Sequence, residues 1–318
     1  DPVAAGDVLV ASGKAEAIKV ARKKRFPVYQ LAIATKDRKD DVRLSGALQK
    51  LVEEDAGLDV VHDQVTHEIL LQGQGEPHLR SVIDRLKGRF GVDVSSARPS
   101  TPYKETIRKS AEKRGRHKKQ TGGHGQFGDC VIQVKPQPRG RGFEFVDKIT
   151  GGAIPRQWIP AVEGGVKDAM AKGPIVFPVV DVSVTLIDGS FHAVDSSEHS
   201  FHAAGRIGMN DALSECEPVL LEPIEKLSIY TPSSGTPKIN SAVSSHGGQI
   251  LGFEPRDGWN GWDRVDVYLP HAERQNFIIE LRSLTQGLAT FEAAFDHMVE
   301  VTGRRAEDVA KRAQQAPA

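Results

Sequence analysis

The sequence predicts an α+β protein of several domains, in which two ferredoxin-like βαββαβ modules flank a middle of different character. Three observations carry this. At 318 residues the chain exceeds what one ordinary core organises and suggests two to four domains. Strand-like alternation and helix-like apolar spacing recur in the same order near both ends. Between them lies AEKRGRHKKQTGGHGQFGD, Ala111 to Asp129, with its charge packed at one end and its glycines at the other.

In the first module VYQLAIATK alternates as a half-buried strand. DDVRLSGALQKLVEED then places Val42, Leu44, Leu48, Leu51 and Val52 at helical spacing. LDVVHDQ and THEILLQGQ read as two short strands, EPHLRSVIDRLKGRF as a helix with Leu79, Val82, Ile83 and Leu86 on one face, and GVDVSS as a closing strand. This is the βαββαβ order. The order returns with strand PIEKLSIYTP, the polar helix TPKINSAVSSH, strands GGQILGFEP and DRVDVYLP joined by RDGWNGW, helix AERQNFIIELRSLTQG and strand ATFEAAFDHMVEV. The final KRAQQAPA reads as a frayed tail of low complexity.

In the middle, YKETIRKSAEKRGRHKK and CVIQVKPQ read as two strands joined by the glycine loop TGGHGQFG, which puts the cationic run beside an exposed tip. WIPAVEGGVKDAMAKG is a helix, VVDVSVTLIDGSF a strand and SSEHSFHAAGRIGMNDALSEC a second helix. Ser196 or Ser197 is its expected N-cap, so FHAVDSS precedes a helix N-terminus, a position that favours anions.

Composition bounds the function. The 39% hydrophobic and 26% charged fractions are those of globular chains, and no apolar run approaches the roughly 20 residues of a membrane span. Cys130 and Cys216 are too few and too far apart for a disulfide framework or a Cys-x-x-Cys metal motif, which fits a reducing cytoplasm. The opening DPVAAGDVLV reads as a cut through a longer chain rather than a signal peptide. Forty-two basic and 42 acidic residues cancel, yet from Lys104 to His124 eight cations face two glutamates, a local excess of six.

Lys113, Arg114, Arg116, Lys118 and Lys119 in that run suit RNA phosphates, which they would neutralise without reading sequence; a solvated charged ribbon is the plain alternative. Gly122, Gly123 and Gly125 permit close backbone approach to a nucleic-acid groove, His124 lies among them, and Gln126 offers an amide to a ribose or base edge; a hairpin needs similar glycines for geometry alone. His192 suits base stacking or phosphate contact, or is simply exposed. A zinc site from His192, Asp195, His199 and His202 matches no closed signature. A hydrolase triad from His192, Asp195 and Ser197 crowds three roles into one short loop with no G-x-S-x-G elbow. No GxxxxGK[ST] run occurs, so nucleotide binding is not expected of these residues. Trp259 and Trp262 suit RNA stacking, and a place in the core or a hydrophobic lid at least as well.

GGHGQFGD, TGGAIPRQWIPAVEGGV, FPVVDVSVTLIDGSFHAVDSSEHSF, PVLLEPIEKL, ELRSLTQG and GQGEPHL occur along the chain and together resemble the motifs of the last three domains of bacterial elongation factor G and its paralogues. The resemblance implies the end of a β-barrel domain with its linker over 1–25, a third domain over 26–97, a ribosomal-protein-like arm over 98–217, a fifth domain over 218–302 and a C-terminal helix or tail over 303–318. It implies tip loops at Gly122–Gly128 and Ser190–Ser197, with Asp195, Ser196 and Ser197 beside the tip histidine His192, and ribosome-facing candidates Arg282 and Ser283, for which capping the packing is the alternative. It further implies a cytoplasmic, monomeric translation factor whose partners are ribosomal RNA, tRNA and mRNA at the decoding region, ribosomal proteins and its own N-terminal GTPase domain. GTP and Mg²⁺ would belong to that domain, with no cofactor, metal or catalytic site in this stretch. His124, Asp129, Ala193, Pro77 and the more basic KRGRHKKQ resemble an elongation factor G-like paralogue more than the principal factor. Translocation is the expected task; ribosome recycling, ribosome protection and a free-standing RNA-binding module are the alternatives.

Overall fold

The computed structural model describes residues 26–120 and 125–315; the segment 1–25 expected to close a β-barrel, and tip residues Gly122, Gly123 and His124, lie outside the described residues. From Phe26 the chain runs β1 (Tyr29–Thr35), α1 (Asp41–Glu54), β2 (Asp59–His62), β3 (Ile69–Gly73), α2 (Glu76–Phe90) and β4 (Val94–Ala97). The sheet order is β2-β3-β1-β4 with every neighbour antiparallel, so the split βαβ units of the predicted module are present. Each helix turns a narrow apolar stripe inward, Leu44, Ala47, Leu48 and Leu51 from α1 and Leu79, Val82 and Leu86 from α2, over Ile33, Leu71 and Val94 of the sheet. Gly91 ends α2 in the left-handed conformation, φ 64°, donating its N–H to the carbonyls of Leu86 and Lys87.

Two neighbours in α2 have opposite expected responses. Leu86 is fully buried, and Leu86→Ala is expected to cost about 2–5 kcal/mol. Gly88 has nothing within 4 Å of where a Cβ would stand, so Gly88→Ala is expected to stabilise by about 0.5–1 kcal/mol. Urea titration reads both.

The middle comprises β5 (Lys104–Ile107), β6 (Ala111–Lys119), β7 (Gln126–Pro136), β8 (Phe143–Asp147), α3 (Ile159–Met170), β9 (Val182–Ser190) and α4 (Glu198–Glu215). A sheet of order β6-β7-β9-β8, with β8 parallel to β9, carries both helices on one face. Cys130, Ile132 and Val134 from β7 and Val182, Val184 and Leu186 from β9 meet Val162, Val166, Phe201, Ala204 and Met209 from the helices.

The single strand expected over Tyr103–Lys119 is two strands. Arg108 and Lys109 donate their N–H groups to the carbonyl of Cys216, which turns the chain between β5 and β6. Glu105 on β5 is fully buried and accepts the N–H of Phe177 at 2.6 Å, a requirement a free ribbon could not meet. Burial pushes its carboxyl above the ordinary range despite the backbone N–H groups of Phe177, Ile175 and Val176. β8 is an addition to the expected elements: its five residues are too short to show period, although Phe143 and Phe145 pack on the core.

The chain continues with β10 (Pro218–Pro232), α5 (Thr236–Ser245), β11 (Gln249–Pro255), β12 (Trp262–Pro270), α6 (Arg274–Leu284), β13 (Thr290–Val301) and α7 (Gly303–Gln315). The order β11-β12-β10-β13 repeats that of the first module, and Pro218–Leu221 of β10 pair with β5. Of the helix or tail expected over 303–318, the described part is a helix through Gln315, which corrects the reading of Lys311–Gln315 as frayed. Good helix formers dominate it, Ala306, Val309, Ala310 and Ala313 share its half-buried face, and Arg305 forks onto both oxygens of Glu222. Packing divides the chain into two units: the first module with Ile224–Asp296, and Tyr103–Pro223 with the chain from His297 onward.

His246 caps the C-terminus of α5 with both ring nitrogens bonded to carboxylates, Nδ1 to Glu273 at 2.9 Å and Nε2 to Glu280 at 2.8 Å. Two acceptors require an imidazolium. Burial opposes the charge, but the two carboxylates outweigh it and raise the pKa above 6.5. A raised folded pKa contributes stability that is complete below pH 6.5 and lost as pH rises through the folded value. Wild-type stability is therefore expected to fall more steeply across neutral to mildly alkaline pH than that of His246→Gln, as thermal melts at stepped pH would record.

Candidate nucleic-acid interface

Register decides what the cationic run presents. β6 pairs with β7 from Ala111↔Val134 to Lys119↔Gln126, and alternation sends Lys113, Gly115 and His117 toward α4 and Arg114, Arg116 and Lys118 to the open face of the sheet. The candidates therefore separate. Lys113 pairs with Glu215 of α4. Arg114 Nε lies 3.2 Å from Oδ1 of Asp129, a buried carboxylate that also accepts the Ser190 hydroxyl at 2.6 Å. Arg116 lies 5.5 Å from the centre of the Phe127 ring. Among the described residues Arg116, Lys118 and Lys119 are exposed and carry no ion-pair partner, leaving three cations directed to solvent on the approach to the tip.

The two tip loops, remote in sequence, are tied together, among the described residues, by one backbone bond and two bonds from side chains. Phe127 N–H donates to the Asp195 carbonyl at 2.8 Å, and Gly125 N–H to Oδ1 of Asp195 at 3.1 Å. Ser196 Oγ donates to the Phe127 carbonyl and accepts the His192 N–H, both at 2.9 Å. Gln126 bonds Nε2 of His117 at 2.8 Å, so its amide is shared with the β6 strand. Ser197 is the N-cap of α4, accepting the Ser200 N–H and exchanging a hydroxyl bond with Ser200. Phe191 and Phe201 stand 5.9 and 5.2 Å from Trp158, anchoring the second loop to the core below it. The result is a rigid base under an exposed edge formed by His192, Ala193 and Val194.

Other chemistry disperses. His192 Nδ1 lies 3.3 Å from Asp195, whereas Ser197 is committed to its helix cap, so the imagined triad has no free nucleophile. His199 meets the ring of His117 and His202 pairs with Asp168 at 3.2 Å, and among the described residues no His, Cys, Asp or Glu group of three could hold a metal. Burial pushes the Cys130 thiol up to about 12, which makes it a poor nucleophile. Among the described residues no helix is long and apolar enough to cross a membrane. Arg282 is half-buried, with one guanidinium nitrogen 2.7 Å from where a Cβ on Gly75 would stand, and burial lowers its pKa; Ser283 is exposed. Phe127, Phe191 and Trp158 went unmarked in the sequence. Strand alternation would have found Phe127 opposite Lys118; the ring stack under the second loop needs tertiary structure.

Family models match three consecutive stretches: Elongation Factor G, domain III over 26–98; Elongation factor G, domain IV over 99–217; and Elongation factor G C-terminus over 219–309. An elongation factor G-like protein of Synechocystis sp. is 51% identical over 283 residues, covering 89% of this chain and 42% of that protein. Elongation factor G of Aquifex pyrophilus is 42% identical over 285 residues, covering 89% of this chain and 40% of that protein. A crystal structure from Thermus thermophilus matches with a TM-score of 0.82 at 36% identity, over 93% of this chain and 44% of that one. The chain thus spans less than half the length of these relatives.

Proposed function

Since the chain belongs to the elongation factor G family, carrying its third, fourth and C-terminal domains, we propose that it is the ribosome-contacting region of an elongation factor G-like translation factor. The observation that carries the reading is the tip: two loops joined by the backbone bond from Phe127 to Asp195 and by the Asp195 and Ser196 side chains, approached by Arg116, Lys118 and Lys119, none of which makes an ion pair among the described residues. Such cations displace counterions from RNA phosphates without reading sequence, which suits a partner whose codon changes at each cycle. The tip rests beside tRNA and mRNA at the decoding region. GTP and Mg²⁺ are handled in a GTPase domain of the full-length cytoplasmic factor, whose turnover reorients the arm.

The mechanism asked of these residues is steric and electrostatic. A tip that occupies space beside the codon–anticodon helix opposes its return, and its stiffness comes from the Ser196 and Asp195 bonds to Gly125 and Phe127. The higher identity to the elongation factor G-like protein, 51% against 42%, favours a specialised paralogue as the second reading, acting in recycling or ribosome protection. A one-codon advance of mRNA, read by toe-printing with the full-length factor, supports the first reading. Subunit splitting without advance supports the second. Neither activity, with no ribosome binding, contradicts both.

A further inference from the structure

We propose that the β11–β12 hairpin is a protein-docking surface, built for a lysine- or arginine-rich segment and separate from the RNA-facing arm. RDGWNGW places Arg256 between two rings, its guanidinium 4.3 Å from the centre of Tyr230 and 4.1 Å from that of Trp259. Trp262 meets Trp259 edge-on at 5.2 Å. None of Tyr230, Trp259 and Trp262 belongs to the core of its unit, and Trp259 keeps 46% of its surface exposed. A tryptophan pair left outside the core forfeits burial that the core would have supplied, which marks an interaction site.

The loop is preorganised. Arg256 N–H donates to the Trp262 carbonyl at 2.8 Å, Trp259 N–H to that of Arg256 at 3.1 Å, and Ser233 N–H to that of Gly261 at 2.9 Å. Gly258 and Gly261 take the left-handed φ values, 73° and 78°, that this path requires. Aromatic anchors held in this way lose little freedom on binding.

Charge selects the partner. Register puts Glu254, Arg264 and Tyr230 side by side on the sheet face turned away from the helices, with Asp266 one pair further along. Burial first, and then the charge of Glu292, push the pKa of the Tyr230 hydroxyl up, and Asp257 is exposed at the tip. Arg264 pairs with two of these four carboxylates, Glu254 and Asp266, at 3.2 and 2.8 Å, which leaves Asp257 and Glu292 against Lys226. Arg256 is committed to its stack. A phosphate backbone would meet net negative charge here. A cationic side chain would find the exposed part of the Trp259 ring, with the exposed Asp257 carboxylate two residues away in the same loop. Trp, Tyr and Arg are also the residues enriched at protein-interface hot spots.

Isothermal titration calorimetry of the whole chain with a short lysine–alanine peptide, and in parallel with single-stranded oligouridylate, tests the assignment. Peptide binding is expected to weaken about tenfold or more in Trp259→Ala and in the charge reversal Asp257→Lys, and to survive largely in Trp259→Phe, which keeps a ring and guards against simple loss of the hairpin. Peptide binding that is absent, or equal in wild type and all three variants, overturns the proposal. So does oligouridylate bound more tightly than peptide in a Trp259-dependent way, which would make the hairpin an RNA platform.

Discussion

Gly115→Ala is expected to destabilise the arm unit by about 3 kcal/mol or more, lowering its Tm by about 10 °C. β6 crosses α4 so closely that a Cβ at Gly115 would stand 2.0 Å from the Ala204 carbonyl oxygen and 2.6 Å from the Gly208 nitrogen. Both obstacles are backbone, so no rotamer change relieves them, and the strand has to lift from the helix. Gly128 repeats the arrangement where β7 passes the first turn of α4, its Cβ position 2.2 Å from the Ser200 carbonyl oxygen. The expectation is specific to these crossings: Gly88→Ala, with open space around it, moves stability the other way. Scanning calorimetry of the two variants side by side checks it. An unchanged melt for Gly115→Ala would mean that the strand and helix are further apart than described.

Reversing Lys118 and Lys119 to glutamate in the full-length factor is expected to weaken ribosome binding about tenfold to a hundredfold at low salt. It should also reduce the slope of log K against log salt by about two. Both residues are exposed and free of ion pairs among the described residues, so the variant should fold as wild type does. Lys113→Glu is the informative contrast: Lys113 already pairs with Glu215 on α4, and its loss should register in stability rather than in salt slope. Filter-binding or sedimentation across a salt series measures both. A slope identical in wild type and the double variant removes the phosphate contacts from the account.

Local period made most of the architecture legible. α2 spans the residues that its apolar spacing marks, because Gly91 stops it with a left-handed cap and Pro77 starts it without demanding an N–H. What escaped was set by tertiary demand. The break between β5 and β6 follows from where Glu105 and the Arg108 and Lys109 amides find partners, and no propensity encodes that. α7 was expected as a helix or tail only through the resemblance; its own composition reads as low complexity until the Ala306–Ala313 stripe meets a surface. For the candidate site, chemistry was visible and commitment was not: one charge run contains Lys113 and Arg114, engaged with carboxylates, and Lys118 and Lys119, directed to solvent. The pairing of Ser196 with Phe127 across 69 residues was likewise beyond any local signal.

The central claim is that the tip formed by Gly125–Phe127 and His192–Ser197 rests against RNA near the codon. A photo-crosslinker on His192→Cys in the full-length factor, bound to programmed ribosomes, addresses it most directly. Cys130 and Cys216 are both buried, and the crosslinks that count are those gained with His192→Cys over the same factor without the substitution. Crosslinks to small-subunit RNA of the decoding region, or to the tRNA and mRNA there, are the predicted result; crosslinks confined to the large subunit, or to this protein itself, would contradict it.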